Sequence, residues 1–207
     1  MMNIGTRLTL LFIVSLLFGC SGRTGNTATE TLGGQKYIVV TPGDLAKSDA
    51  NLTGTGSIVF NTPLSETASK NSYRLFFTLQ DGGDLSLIAN STNKLQSGVS
   101  VKFSRNGAVL KVELLAVDKT TDVSAQFATL NAADKLGFQI DVHNDESPAH
   151  ILVWSTNTTF EDSTALLNSE GAGLEAPGQG AGAFWGVSLT KASLTEAVPS
   201  AAKFSEN

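Results

Sequence analysis

Both histidines of the chain, His143 and His150, lie within the stretch Leu136 to Trp154, beside an unusual density of amide and carboxylate side chains. Strand alternation sends Phe138, Ile140 and Val142 to one side and Gln139, Asp141 and His143 to the other. Asn144 to Ala149 holds Pro148 and several turn formers, so the chain is expected to return at His150. Matching the apolar faces sets Val142 opposite Ile151 and Ile140 opposite Val153. His143 then falls opposite His150, Asp141 opposite Leu152, and Gln139 opposite Trp154. One sheet face therefore carries Gln139, Asp141, His143, His150 and Trp154, with Asn144, Asp145 and Glu146 at its rim. Such a face suits ligand binding: an indole stacks on sugar C–H groups, while amides and carboxylates hydrogen-bond hydroxyls. The plain alternative is a polar turn whose carboxylates bind nothing. Ser147 near a histidine could suggest nucleophilic catalysis, but no Gly-x-Ser-x-Gly elbow is present. Pro177 to Gly182 is Gly-rich yet lacks the lysine of a phosphate-binding loop and any helical pattern after it. It reads as a surface loop leading into the Phe184 strand.

Strands must hold these residues, and period-two alternation dominates the chain. Tyr73, Leu75, Phe77 and Leu79 alternate with polar residues, Asp81-Gly82-Gly83-Asp84 reads as a turn, and Leu85, Leu87 and Ala89 resume the pattern. Val99, Val101 and Phe103 lead through Asn106-Gly107 into Leu110, Val112 and Leu114, a hairpin signature. Further strands are expected at 37–41, 57–60, 123–129, 136–143, 149–155 and 184–191, with Trp185 in the core on the side of Val187 and Leu189. Only a short helical turn is expected, around Glu161 to Leu167. Many short strands joined by Gly, Asn and Asp turns predict an all-β fold, a single antiparallel β-sandwich or jelly roll with little helix. No repeat of fixed period is present, which argues against a propeller.

The first residues concern location. Arg7 precedes an apolar run, Leu8 to Phe18, too short for a bilayer span of about 20 residues, and Leu17-Phe18-Gly19-Cys20 follows. That end resembles the lipobox of bacterial lipoproteins, which implies a signal peptide over 1–19 and lipidation of Cys20. Ser21 is not the aspartate associated with inner-membrane retention, so an outer membrane lipoprotein is expected, on its periplasmic or its cell-surface face. Residues 20–34 are small, polar and Gly-rich, and read as a flexible tether. The sandwich is expected over 35–196 and a loose tail over 197–207. Cys20 is the only cysteine, so no disulfide can form within one chain and burial alone must close the core. The net charge of −5, with no basic patch, makes nucleic acid an improbable partner.

The order strand, Asp141, Asn144, acidic turn, Pro148, His150, apolar strand resembles the metal loop of legume-type lectins in the concanavalin A-like lectin/glucanase superfamily. The resemblance implies that Asp141, Asn144, Asp145 or Glu146, and His150 match calcium and transition-metal ligands; the family's leading glutamate falls on Gln139. Asp141, Asn144, Asp145, Glu146 and backbone carbonyls would supply the oxygen atoms that calcium wants. The strand from Phe184 to Leu189 resembles the last strand of laminin G-like jelly rolls. Retaining glucanases of the same superfamily need two carboxyl groups about 5 Å apart, where this chain has the amide of Gln139 and the imidazole of His143. The expectation is therefore no enzyme, but a lipid-anchored lectin-like module that binds a glycan or another envelope polymer. The competing reading is a structural lipoprotein of the cell envelope that docks a partner protein and has no sugar site.

Overall fold

A computed structural model describes residues 30–48, 50–60, 70–116, 127–131, 135–143, 150–169 and 184–200. The signal segment, Cys20, the rim residues Asn144, Asp145 and Glu146, and the Gly-rich stretch 177–182 lie outside the described residues.

The chain opens with β1 (Glu30–Leu32), β2 (Gln35–Thr41), β3 (Ala46–Ser48) and β4 (Asn51–Phe60). The long β5 (Lys70–Ser91) follows, then β6 (Val99–Asn106), β7 (Val109–Ala116) and β8 (Phe127–Asn131). After them come β9 (Leu136–His143), β10 (His150–Ser155), a 3-10 turn over Asp162–Thr164, the short β11 (Leu167–Asn168) and the long β12 (Phe184–Ser200). Every pairing is antiparallel.

One continuous sheet folds over on itself. The second half of β5 pairs with β6, and its first half pairs with β9. Along its other edge β5 pairs with β12 throughout, from Phe184↔Ser91 to Ser200↔Ser72. The register breaks between Thr190↔Asp84 and Ala192↔Leu79, so Gln80 to Gly83 oppose Lys191 alone. Beside this break β4 shifts register too, between Leu189↔Gly56 and Ala192↔Gly54. Three strands thus bend together. One layer holds β2, β6, β7, β8 and the halves of β4, β5 and β12 near Phe60, Leu87 and Val187. The other holds β3, β9, β10, β11 and the remaining halves. Asp81-Gly82-Gly83-Asp84 is accordingly not the hairpin expected from its composition: it is a bulge inside one strand. Gly83 is required there, because a Cβ would lie 2.7 Å from the Lys191 carbonyl oxygen and 2.9 Å from that of Thr190.

The layers meet through large side chains. Phe103 of β6 lies 4.4 Å, centroid to centroid, from Phe138 of β9, and Phe77 closes the same cluster at 5.0 Å from Phe103. Trp185 stacks on Phe60 at 3.9 Å and meets Tyr73 of the facing layer at 5.3 Å. Val99, Val101, Leu110, Val112, Leu114, Ile140, Val142, Ile151 and Val153 fill the space between, all buried. The expected single antiparallel β-sandwich of jelly-roll type is present, with β4 near the N-terminus lying beside β12 near the C-terminus. Two boundaries move. Gly33 and Gly34 take φ of 55° and 80°, the turn of a two-residue hairpin joining β1 to β2, so ordered strand begins inside the expected tether. β12 runs to Ser200 and buries Ala197, taking in the first residues expected as tail.

Candidate functional site

The register expected for β9 and β10 is found: His150↔His143, Leu152↔Asp141 and Trp154↔Gln139. Gln139, Asp141, His143, His150 and Trp154 share the side turned away from Phe138, Ile140 and Val142. On the adjoining strand β5, Lys70, Ser72 and Arg74 stand opposite His143, Asp141 and Gln139. The sequence brings these groups together because each strand keeps its apolar alternate residues in the core.

That side is closed at four of the five residues, and His143 is half-buried. Gln139, Asp141 and Trp154 are 0% exposed and His150 is 7% exposed. Phe160 to Ser169 folds back along β10: Leu166 N–H donates to the Val153 carbonyl at 2.7 Å, and Ser169 N–H to that of Ile151 at 2.9 Å. Trp154 donates its indole N–H to the Glu161 carbonyl at 2.8 Å and packs edge-on against Phe160 at 6.1 Å. An indole held this way has no open ring face for a sugar. His150 Nε2 lies 2.6 Å from Asn168 Oδ1, and the two imidazoles stand 5.1 Å apart.

Asp141 is neutralised from within. Gln139 Nε2 donates to Asp141 Oδ1 at 3.1 Å, and Lys70 Nζ sits 3.5 Å from Asp141 Oδ2. Among the described residues no three His, Cys, Asp or Glu side chains are grouped to hold a metal. Of the expected calcium ligands Asp141, Asn144, Asp145 and Glu146, only Asp141 is among the described residues. The buried charge is paired with Lys70 and one of its oxygens is hydrogen-bonded, while Asp141 Oδ2 and Gln139 Oε1 have no hydrogen-bond partner among the described residues.

A different surface is open. On the outer side of the first layer, Ile38, Val59, Gly186 and Ile88 form one lateral row across β2, β4, β12 and β5. The row has a dent at Gly186, and Leu95, from the turn between β5 and β6, is seated in it. A Cβ at Gly186 would lie 2.9 Å from both Leu95 methyl carbons and 2.2 Å from the Ile58 carbonyl oxygen. Val59, Ile88 and Leu95 make a small apolar cluster apart from the main core, with Ile38, Val40 and Phe184 packed against it. Leu95 holds φ at 54°, a left-handed conformation unfavourable for a residue with a Cβ. Its N–H donates to the Thr92 carbonyl at 3.0 Å, tightening the turn.

Beside this anchor lies a groove of about 870 Å³. Ile38, Val40, Val59 and Phe184 give it an apolar floor, and Asn93, Lys94 and Gln96 of the same turn give it a polar rim. Among the described residues that line it, Lys94 is the charged one, and none is an aspartate or glutamate. An apolar concavity with a few amide and cationic groups at the edge is the usual build of a small-molecule or oligomer site. Periodicity missed this groove, since its rim is a loop. The one local signal was the run of polar residues Thr92, Asn93, Lys94 and Gln96 broken by a single leucine.

No protein-family model matches the chain, and no curated protein matches it. Solved structures resemble it at low identity. The carbohydrate binding module CBM66 from Bacillus subtilis is 13% identical, with a TM-score of 0.47 over 79% of this chain and 91% of that one. An alginate lyase from Pseudomonas aeruginosa is 10% identical, with a TM-score of 0.43 over 80% of this chain and 81% of that one. Congerin II, liganded with lactose and MES, is 11% identical, with a TM-score of 0.37 over 67% of this chain and 92% of that one. The antiparallel β-sandwich of this chain stands on its own strand pairing.

Proposed function

We propose that the protein is a non-catalytic binding module that takes a segment of a glycan or surface polymer into the groove beside Leu95. It is displayed on the outer membrane by a lipid on Cys20. The observation that carries this reading is the groove itself: an apolar floor of Ile38, Val40 and Phe184 beneath the amides of Asn93 and Gln96. Sugar rings offer C–H faces to such a floor and hydroxyls to such amides, which both donate and accept. The β9–β10 face expected to bind is a poorer candidate, because its carboxylate and indole are fully buried and the indole N–H is engaged by the Glu161 carbonyl. Affinity per site is modest, and an array of anchored copies raises it through avidity.

A polysaccharide pull-down with the mature chain, in calcium and in EDTA, tests the reading. Expected is retention in both conditions, lost when Asn93 and Gln96 are replaced together by alanine. Absence of binding to every glycan counts decisively against it. The closure of the β9–β10 face favours the second reading, a scaffold lipoprotein docking an envelope protein. Capture of one defined envelope protein, unaffected by the Asn93 and Gln96 substitutions, would support that instead.

A further inference from the structure

Resting on the glycan-binding reading above, we propose that the groove selects an acidic glycan, with the ammonium of Lys94 receiving a carboxylate of a uronate residue. Three observations converge on it. The chain is acidic, with a net charge of −5, yet among the described residues lining this groove the charge is positive and no carboxylate accompanies it. Among the described residues no ion pair engages Lys94, a condition it shares with Lys36, Lys47, Lys135 and Lys191, and of these Lys94 alone lines the groove. The backbone carrying Lys94 is held in an unfavourable form: Leu95 is 8% exposed at a φ of 54°, locked over Gly186. Left-handed backbone at a residue with a Cβ persists only where the surroundings over-determine it, and such positions gather at binding sites. Here the locked leucine orders the turn from which Asn93, Lys94 and Gln96 line the rim, so less ordering entropy is lost on binding.

A neutral sugar needs the apolar floor and the two amides alone. A uronate adds a carboxylate, and an ammonium–carboxylate hydrogen bond is stronger than a neutral one. Selection then depends on charge and weakens with salt, because the site is open to solvent. Lys94 is a specificity residue; the floor and amides bind the ring.

The test uses the full mature chain in detergent micelles and titration calorimetry against oligogalacturonate, oligoalginate and hyaluronan fragments. Each is paired with its carboxyl-reduced counterpart, in which every uronate has become a neutral hexose. Expected is binding of at least one acidic fragment about tenfold tighter than its reduced form, with the gap closing at high salt. Lys94→Met should remove that gap and leave binding of the reduced form unchanged, while Lys94→Arg should keep the gap. Both substitutions are at an exposed position, and unchanged thermal unfolding will confirm an intact fold. Equal affinity for acidic and reduced forms, or an unaltered gap in Lys94→Met, overturns acidic selection while leaving glycan binding standing. Binding of neutral glycans alone does the same. Absence of binding across the whole panel overturns the glycan reading itself.

Discussion

Leu95 offers a sharp test, because two substitutions that remove the same side chain should rank in the reverse of their usual order. Leu95→Ala empties the dent over Gly186. Truncating a buried leucine costs about 2–5 kcal/mol, and the low end, roughly 2 kcal/mol, applies because its cluster is small and lies beneath a loop. Alanine keeps a Cβ and therefore keeps the left-handed penalty at φ 54°, about 1–2 kcal/mol. Leu95→Gly loses the same packing but sheds that penalty. Elsewhere glycine is less stable than alanine by roughly 0.5–1 kcal/mol through its greater freedom in the unfolded chain. The balance leaves the glycine variant ahead by up to about 1.5 kcal/mol. Urea unfolding followed by fluorescence reads this as a higher midpoint for Leu95→Gly than for Leu95→Ala at equal slope. An alanine variant as stable as the glycine variant, or more stable, would refute the claim that the turn is held in left-handed backbone by its leucine plug.

The remaining predictions concern the closed face, the tyrosines and the anchor. Lys70→Met leaves the Asp141 carboxylate buried without its ammonium and should cost about 3 kcal/mol at neutral pH, whereas Asp141→Asn frees a lysine that reaches water and should cost nearer 1 kcal/mol; equal losses in chemical unfolding would contradict the asymmetry. Burial holds the Tyr73 hydroxyl well above its ordinary value near 10, and burial together with the hydrogen bond to Glu30 does the same for Tyr37. The unfolded chain releases these protons first, so stability is intact below pH 10 and falls above it by up to about 1.4 kcal/mol per pH unit for each tyrosine. Phenolate absorbance should rise only together with unfolding, and a separate rise in the folded protein would disprove it. Cys20→Ala should move the full-length protein from the membrane fraction to the soluble fraction; unchanged membrane association would remove the lipid anchor from the proposal.

Much of the scaffold was legible from residue alternation. The pairing of Val142 with Ile151 and of Ile140 with Val153 followed because a strand slipped by one residue would turn its entire apolar set to the wrong side. Local sequence was less secure where glycine has two uses. Asp81-Gly82-Gly83-Asp84 has the composition of a hairpin turn, but in a long strand the same glycines let β12 approach closely while the sheet bends. The partner strand, more than a hundred residues later, decides between these outcomes.

By itself, then, the order of residues determined that the chain is an antiparallel β protein with an aromatic core, and which side of β9 and β10 is polar. Tertiary structure decided whether that polar side is open. Alternation reports only which way a side chain points, whereas exposure depends on what later packs against it, as Phe160 and Glu161 do at Trp154 and Asn168 does at His150. The groove is likewise a product of folding. Ile38, Lys94 and Phe184 belong to three distant segments, and they converge only because Gly186 leaves a hollow between Val59 and Ile88 into which Leu95 fits.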